Sequence, residues 1–307
     1  MRLQGLDASS RSYGWGVSAD GGTVVGTSDG AAVLWTADGR VMRVGGARYG
    51  RVIAASWDGS IVAGWMGDFA RVDAFRWTAI NDRVVTLGRL PGDTLSRVSD
   101  MTPDGRLIVG TSEMVNMPPD PHDPPDIKRR GFRWTEETGM VELPGFIPHG
   151  LSDDGRVIIG FSLSSRQPGI WFEGAGVMDL QPFLTGLGLD LTGWTIRGVS
   201  AISGDGTTIA GSATPPDRSL SGVWVATIPE PSTGVLGGAA VVVTMLGMLL
   251  HRRRSLATES AAARLSGADH SLGQQVIRPL GSERVFCWAT HVTEKGVPVG
   301  TPLTSVH

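Results

Sequence analysis

Ser56-Trp57-Asp58-Gly59-Ser60-Ile61-Val62-Ala63-Gly64, followed by Ala74-Phe75-Arg76-Trp77, is the stretch from which the fold is read. The phrase recurs. Ser18-x-Asp20-Gly21 leads to Gly26 and Trp35, and Thr102-x-Asp104-Gly105 to Gly110 and Trp134. Ser152-x-Asp154-Gly155 leads to Gly160 and Trp171, and Ser203-x-Asp205-Gly206 to Gly211 and Trp224. The second glycine always lies six residues after the aspartate (20 to 26, 58 to 64, 104 to 110, 154 to 160, 205 to 211). The Asp-to-Asp intervals are 38, 46, 50 and 51 residues (positions 20, 58, 104, 154 and 205). Periods of this size mark propellers and solenoids, one supersecondary unit per copy.

The second copy predicts four short strands. Residues 51–56 end at an Asp-Gly turn, a pair that accepts the backbone of a tight hairpin. Residues 60–65, 74–77 and 84–87 supply the other three, and Pro91-Gly92-Asp93 turns toward the next copy. No helical period is sustained before residue 234, so the expected domain is nearly all β. The reading is a β-propeller of about five four-stranded blades over residues 1–227, with repeat units at 18–35, 56–77, 102–134, 152–171 and 203–224. The phrase begins so early that a clipped N-terminus, short of a strand or a whole blade, is expected. Residues 11–17 are then the strand that completes the fifth copy.

Each residue type in the phrase has a scaffold role. The Ser or Thr is expected to bond the turn backbone. The second glycine permits close approach of another strand or a bulge. The tryptophan buries a large apolar face between units and leaves an N–H for a partner. Asp20, Gly21, Trp35, Asp58, Gly59, Trp77, Asp104, Gly105, Trp134, Asp154, Gly155, Trp171, Asp205, Gly206 and Trp224 are therefore structural-repeat positions.

Composition narrows the function classes. Twenty-seven basic against 30 acidic side chains give a net charge of −3, which argues against a general attraction to nucleic acid. The single cysteine, Cys287, lies outside the repeats, so they hold neither a disulfide framework nor a cysteine-ligated metal. Gly26-Thr27-Ser28-Asp29-Gly30 fits the G-x-S-x-G pattern of a nucleophile elbow, which needs a helix after the turn; Ala31-Ala32-Val33-Leu34-Trp35 reads as a strand instead. Residues 113–130 form an insert with Asp120, His122, Asp123 and Asp126 among prolines, which reads as a solvated loop in preference to a weak divalent-cation site. Lys128-Arg129-Arg130 reads as local charge balance. No cofactor is implied.

After Val225 the composition changes. Ile228-Pro229-Glu230-Pro231 precedes 17 uncharged residues, 234–250, and then His251-Arg252-Arg253-Arg254. As a helix the apolar stretch extends about 26 Å, near the thickness of a bilayer core once its flanks snorkel. A transmembrane helix over 234–250 is expected, with Arg254 inside and the repeats outside.

Pro229-Glu230-Pro231, the apolar span and Arg252-Arg253-Arg254 together resemble a PEP-CTERM sorting signal over residues 228–254. The resemblance implies recognition of Pro229, Glu230 and Pro231 by an exosortase-type processing enzyme in the cell envelope. Such signals end soon after the basic cluster, whereas here residues 255–307 follow as a tail read as disordered. Asp73-Ala74-Phe75-Arg76-Trp77, Arg130-Gly131-Phe132-Arg133-Trp134 and Leu87-Gly88-Arg89-Leu90-Pro91-Gly92 resemble the HAF family of extracellular repeats, without the histidine of its name. That resemblance covers most of residues 13–226 and implies an exported propeller-like domain with no assigned activity.

The expected function is therefore a non-enzymatic bacterial cell-surface or extracellular-matrix protein, anchored in the membrane, sorted through its signal and released after processing. Its expected partners are the exosortase, the membrane, and an extracellular polysaccharide or surface protein. The alternative is a glycosidase-like envelope hydrolase on a propeller scaffold. Sialidase-like propellers use a tyrosine nucleophile, for which the sequence offers Tyr13 and Tyr49, and paired-carboxylate chemistry also stays open.

Overall fold

A computed structural model describes residues 3–228 except 8, 47, 69–70, 119, 121–122 and 217–221. Pro229, Glu230, Pro231, His122, the expected membrane helix, Arg252, Arg253, Arg254 and the tail lie outside the described residues. Among the described residues no helix is long and apolar enough to cross a membrane.

Each copy of the phrase builds one antiparallel sheet. Sheet 1 is β1 (Ser12–Val17), β2 (Thr23–Ser28), β3 (Ala31–Thr36) and β4 (Val41–Arg43). Sheet 2 is β5 (Tyr49–Ala55), β6 (Ile61–Gly67), β7 (Val72–Thr78) and β8 (Arg83–Gly88). Sheet 3 is β9 (Leu95–Met101), β10 (Ile108–Asn116), β11 (Asp126–Thr135) and β12 (Gly139–Leu143). Sheet 4 is β13 (Phe146–Leu151), β14 (Val157–Ser162), β15 (Gln167–Phe172) and β16 (Gly176–Asp179). Sheet 5 has three described strands, β17 (Thr195–Ile202), β18 (Thr208–Thr214) and β19 (Gly222–Thr227). All pairings are between sequence neighbours, as in a meander. The first strands β1, β5, β9, β13 and β17 adjoin one another in that order, which makes the arrangement propeller-like.

Four apolar clusters hold the sheets face to face. Val25 and Leu34 of sheet 1 meet Val52, Phe75 and Trp77 of sheet 2. Ala63 and Leu87 of sheet 2 meet Ile108, Phe132 and Trp134 of sheet 3. Val109 and Leu143 of sheet 3 meet Phe146, Ile158 and Trp171 of sheet 4. Ile159, Ile170 and Phe172 of sheet 4 meet Ile196, Ile209 and Trp224 of sheet 5. The tryptophan of copies two to five thus always faces the preceding sheet. Among the described residues no earlier sheet faces Trp35. It is buried nonetheless, and its indole N–H donates to the Gln4 carbonyl at 2.6 Å, because residues 3–7 run over that face of sheet 1.

Three expectations are corrected. Residues 12–17 pair with β2 and not with the fifth copy, and among the described residues no apolar cluster joins sheet 5 to sheet 1. A helix, α1 (Leu180–Gly186), stands where none was expected. It is two turns long, too short for a sequence period to register, and its buried Leu180 and Leu184 fill the space between sheets 4 and 5. The insert at 113–130 is mostly ladder: β10 and β11 stay paired from Ile108–Trp134 out to Asn116–Asp126, and the prolines occupy only the tip.

Candidate functional site

The repeated Ser/Thr-x-Asp-Gly unit is a closed hydrogen-bonded turn in all five copies. In the second, the Ser56 hydroxyl donates to Asp58 Oδ1 (2.9 Å) and accepts from the Ile61 N–H (2.9 Å), while Asp58 also accepts from the Ser60 N–H and hydroxyl. Ser60 first, then Ser56, hold the Asp58 carboxyl down at about 2. The hydroxyl-to-aspartate bond repeats at Ser18–Asp20, Thr102–Asp104, Ser152–Asp154 and Ser203–Asp205, at 2.6, 2.6, 2.6 and 2.5 Å. The matching backbone bond repeats as well, for example Gly105 N–H to the Thr102 carbonyl at 2.8 Å. Gly21, Gly59, Gly105, Gly155 and Gly206 all have φ between +69° and +74°, where glycine is preferred. The second glycine answers a different demand. A Cβ on Gly110 would lie 2.1 Å from the Arg97 carbonyl oxygen on the neighbouring strand.

Each first strand carries a β-bulge at one register. The extra residue is Trp15, Ile53, Ser99, His149 or Ser200, always five before the aspartate (15 and 20, 53 and 58, 99 and 104, 149 and 154, 200 and 205). Bulges re-aim a side chain, and copies that share a scaffold differ in what they aim. Sequence reading missed these positions because no shared residue marks them; counting back from each aspartate finds them.

Two groupings arise among these variable residues. The first joins sheets 1 to 3. Trp15 and Tyr13 stack (centroids 6.4 Å apart) and are both exposed. The Arg51 guanidinium lies 4.0 Å from the Trp15 ring centroid and 5.5 Å from that of Trp65, its cross-strand partner. Arg97 lies 5.9 Å from the Trp65 ring and pairs with Glu113 at 3.1 Å; Arg129 pairs with the same carboxylate at 3.4 Å. The neighbouring Arg130 pairs with Asp93 and Glu142, so two residues of the basic run ending the insert, Arg129 and Arg130, are ion-paired.

The second grouping lies between sheets 3 and 4. Asp100 occupies a position held by Gly16, Ala54, Gly150 and Ala201 in the other copies. Burial pushes its carboxyl up to about 7, against the N–H groups of Met101 (2.8 Å) and Leu151 (3.2 Å), with the Asp153 charge adding to the rise. Asp153 is itself raised, first by burial and then by Asp154 and Asp205.

The other sequence candidates fall apart in space or prove structural. Ser28 is fully buried, bonded to the Leu6 N–H and the Ser12 hydroxyl, and followed by a two-residue Asp29-Gly30 hairpin turn with both φ positive, so the elbow context is missing. Tyr49 lies under Arg48, whose guanidinium is 5.6 Å from its ring. Among the described residues no group of three or more His, Cys, Asp or Glu could hold a metal. An open cleft beside α1, lined by Gln167, Pro168, Asp179, Gln181, Pro182, Thr185 and Ile196, contains no member of the repeated phrase.

No protein-family model matches the chain, and no curated protein matches it. Solved structures do. A TolB protein of Agrobacterium tumefaciens aligns at 17% identity and TM-score 0.47, over 71% of this chain and 77% of that one. TolB of Acinetobacter baumannii aligns at 17% and 0.45, over 70% of this chain and 52% of its own length. An oligogalacturonate lyase of Vibrio parahaemolyticus aligns at 12% and 0.48, over 76% of this chain and 66% of that one. These are likenesses of overall fold, and no residue role passes through them.

Proposed function

We propose that the chain is a non-enzymatic bacterial surface protein: a five-bladed propeller presented for binding, exported, anchored by a helix over 234–250, and sorted through Pro229-Glu230-Pro231. The observation that carries the binding role is the division of labour among the copies. The carboxylate common to all five is spent within its own turn on a hydroxyl and a backbone N–H. What remains for recognition is what differs between copies on the first strands, and there exposed aromatic rings meet arginines. The sorting role rests on the sequence from Ile228 to Arg254.

The mass of the mature protein, expressed in a host that has an exosortase, tests this reading beside a Pro229-Glu230-Pro231→Ala triple variant. The wild type is expected to lose the residues near and beyond Pro229 and the variant to keep them. Retention up to His307 in both would end the sorting proposal.

A further inference from the structure

Four arginines crowd the same end of sheets 2 and 3. Three are ion-paired: Arg97 and Arg129 share Glu113, and Arg130 pairs with Asp93 and Glu142. Arg51 makes no ion pair among the described residues, and its Nε is buried without a hydrogen-bond partner. Two indoles hold it in place, Trp15 at 4.0 Å and Trp65 at 5.5 Å. Burial, then the like charge of Arg97, lowers the Arg51 pKa, although a guanidinium remains charged at any working pH. Arg51, Arg97 and Arg129 face a single carboxylate, that of Glu113, and so leave a local surplus of positive charge on a chain whose net charge is −3. A stacked, pre-oriented and unpaired guanidinium is suited to a planar, bidentate carboxylate. Beside it Tyr13 is 55% exposed and Trp15 46%, an aromatic shelf open to solvent. Such rings give large, rigid contact area to the apolar face of a ring-shaped ligand.

We propose that Tyr13, Trp15, Arg51 and Trp65 form a binding site for a carboxylate-bearing saccharide, whose carboxylate meets the guanidinium of Arg51 while its ring lies on Tyr13 and the exposed part of Trp15. This deepens the binding role proposed above and rests on it for the choice of an extracellular glycan as ligand. A nucleic acid is less well served, because tracking a phosphate backbone takes a run of free cations and the neighbouring arginines are already paired.

The test is calorimetric titration of the full chain with a hexuronate tetramer, its carboxyl-reduced neutral counterpart, and a single-stranded DNA oligomer. The tetramer is expected to bind, the reduced tetramer to bind at least tenfold more weakly, and the DNA not to compete. Arg51→Gln is expected to weaken tetramer binding about 10- to 100-fold, as loss of a charge-assisted contact does. Its thermal midpoint should fall only slightly, since no carboxylate is left unpaired and what is lost is the stacking on Trp15 and Trp65. Tyr13→Ala should weaken both saccharides, and Arg130→Gln neither. Equal binding of the reduced tetramer, unaltered binding by Arg51→Gln, competition by the DNA, or no binding of the tetramer at millimolar concentration would each overturn the proposal. Processing at Pro229 is read separately by mass, so a processed chain that ignores the tetramer defeats this site alone, and an unprocessed chain that binds it defeats the sorting reading alone.

Discussion

Gly59 of the second copy rests against Thr23 of the first: a Cβ on Gly59 would lie 2.2 Å from Thr23 Oγ1. The relationship advances one copy at a time. Gly105 is placed against Ile61, Gly155 against Leu107 and Gly206 against Val157, and each partner follows the preceding aspartate by three residues (20 and 23, 58 and 61, 104 and 107, 154 and 157). Backbone bonds reinforce the row, with the Trp57 carbonyl accepting from Asp20 and the Trp57 N–H donating to the Pro103 carbonyl. Gly21 opens the row and meets nothing within 4 Å.

This difference separates two substitutions that look alike in sequence. Gly21→Ala is expected to cost about 1–2 kcal/mol, the penalty of a left-handed backbone for a residue with a Cβ. Gly59→Ala bears that same penalty plus a clash with Thr23, and should cost at least about 1 kcal/mol more. Urea unfolding of the two variants side by side checks it. Equal losses would mean that the turns do not pack as a row.

Trp77 is 3% exposed in the cluster between sheets 1 and 2 and donates its indole N–H to Asp82 at 2.7 Å. Trp77→Ala should cost about 3–5 kcal/mol. Trp57, one residue before the repeated aspartate, is 63% exposed, and its backbone hydrogen-bonds Asp20 and Pro103. Trp57→Ala should stay within about 0.5 kcal/mol of wild type. Paired thermal melts suffice, and a reversal of that order would move the core to the other tryptophan.

Ser56 is buried, and its hydroxyl serves both Asp58 and the Ile61 N–H. Ser56→Ala leaves that N–H without its acceptor, an expected loss of about 1–3 kcal/mol. Ser56→Thr keeps the hydroxyl, and Thr102 shows that threonine fits the same turn. The threonine variant should therefore recover most of the loss, measured as the urea midpoint. No recovery would show that the hydroxyl bonds contribute little.

Asp100 makes stability depend on pH. Its folded pKa of about 7 lies above the ordinary 3.8, so the folded chain keeps a proton that the unfolded chain gives up. The contribution is fully present below about pH 4 and is lost as pH rises through about 7. Asp100→Asn stays neutral and can still accept from Leu151. It should match wild type near pH 4 and exceed it by about 1–3 kcal/mol at pH 8. Melting both proteins between pH 4 and pH 8 reads this directly; parallel curves would place the carboxyl in water.

The strand order and the turn chemistry were legible in the sequence. They are local properties: Asp58-Gly59 specifies a turn, Ile61 and Val62 favour the strand after it, and five recurrences identify the unit. Buried tryptophans could be named from the same phrase, because a large apolar ring at a fixed place in each unit has to be covered. Helix α1 was not legible, since two turns around Leu180 and Leu184 are too few for a period. The cover over Trp35 was not legible either. Residues 3–7 carry no pattern of their own, and only the folded chain places them over Trp35. Tertiary structure alone brought Trp15, Arg51 and Trp65 together, and it alone set Asp100 where burial raises its pKa. Arg51 lies 36 residues from Trp15 (51 and 15), and only the packing of one sheet on the next brings a guanidinium from one copy onto the indole of another.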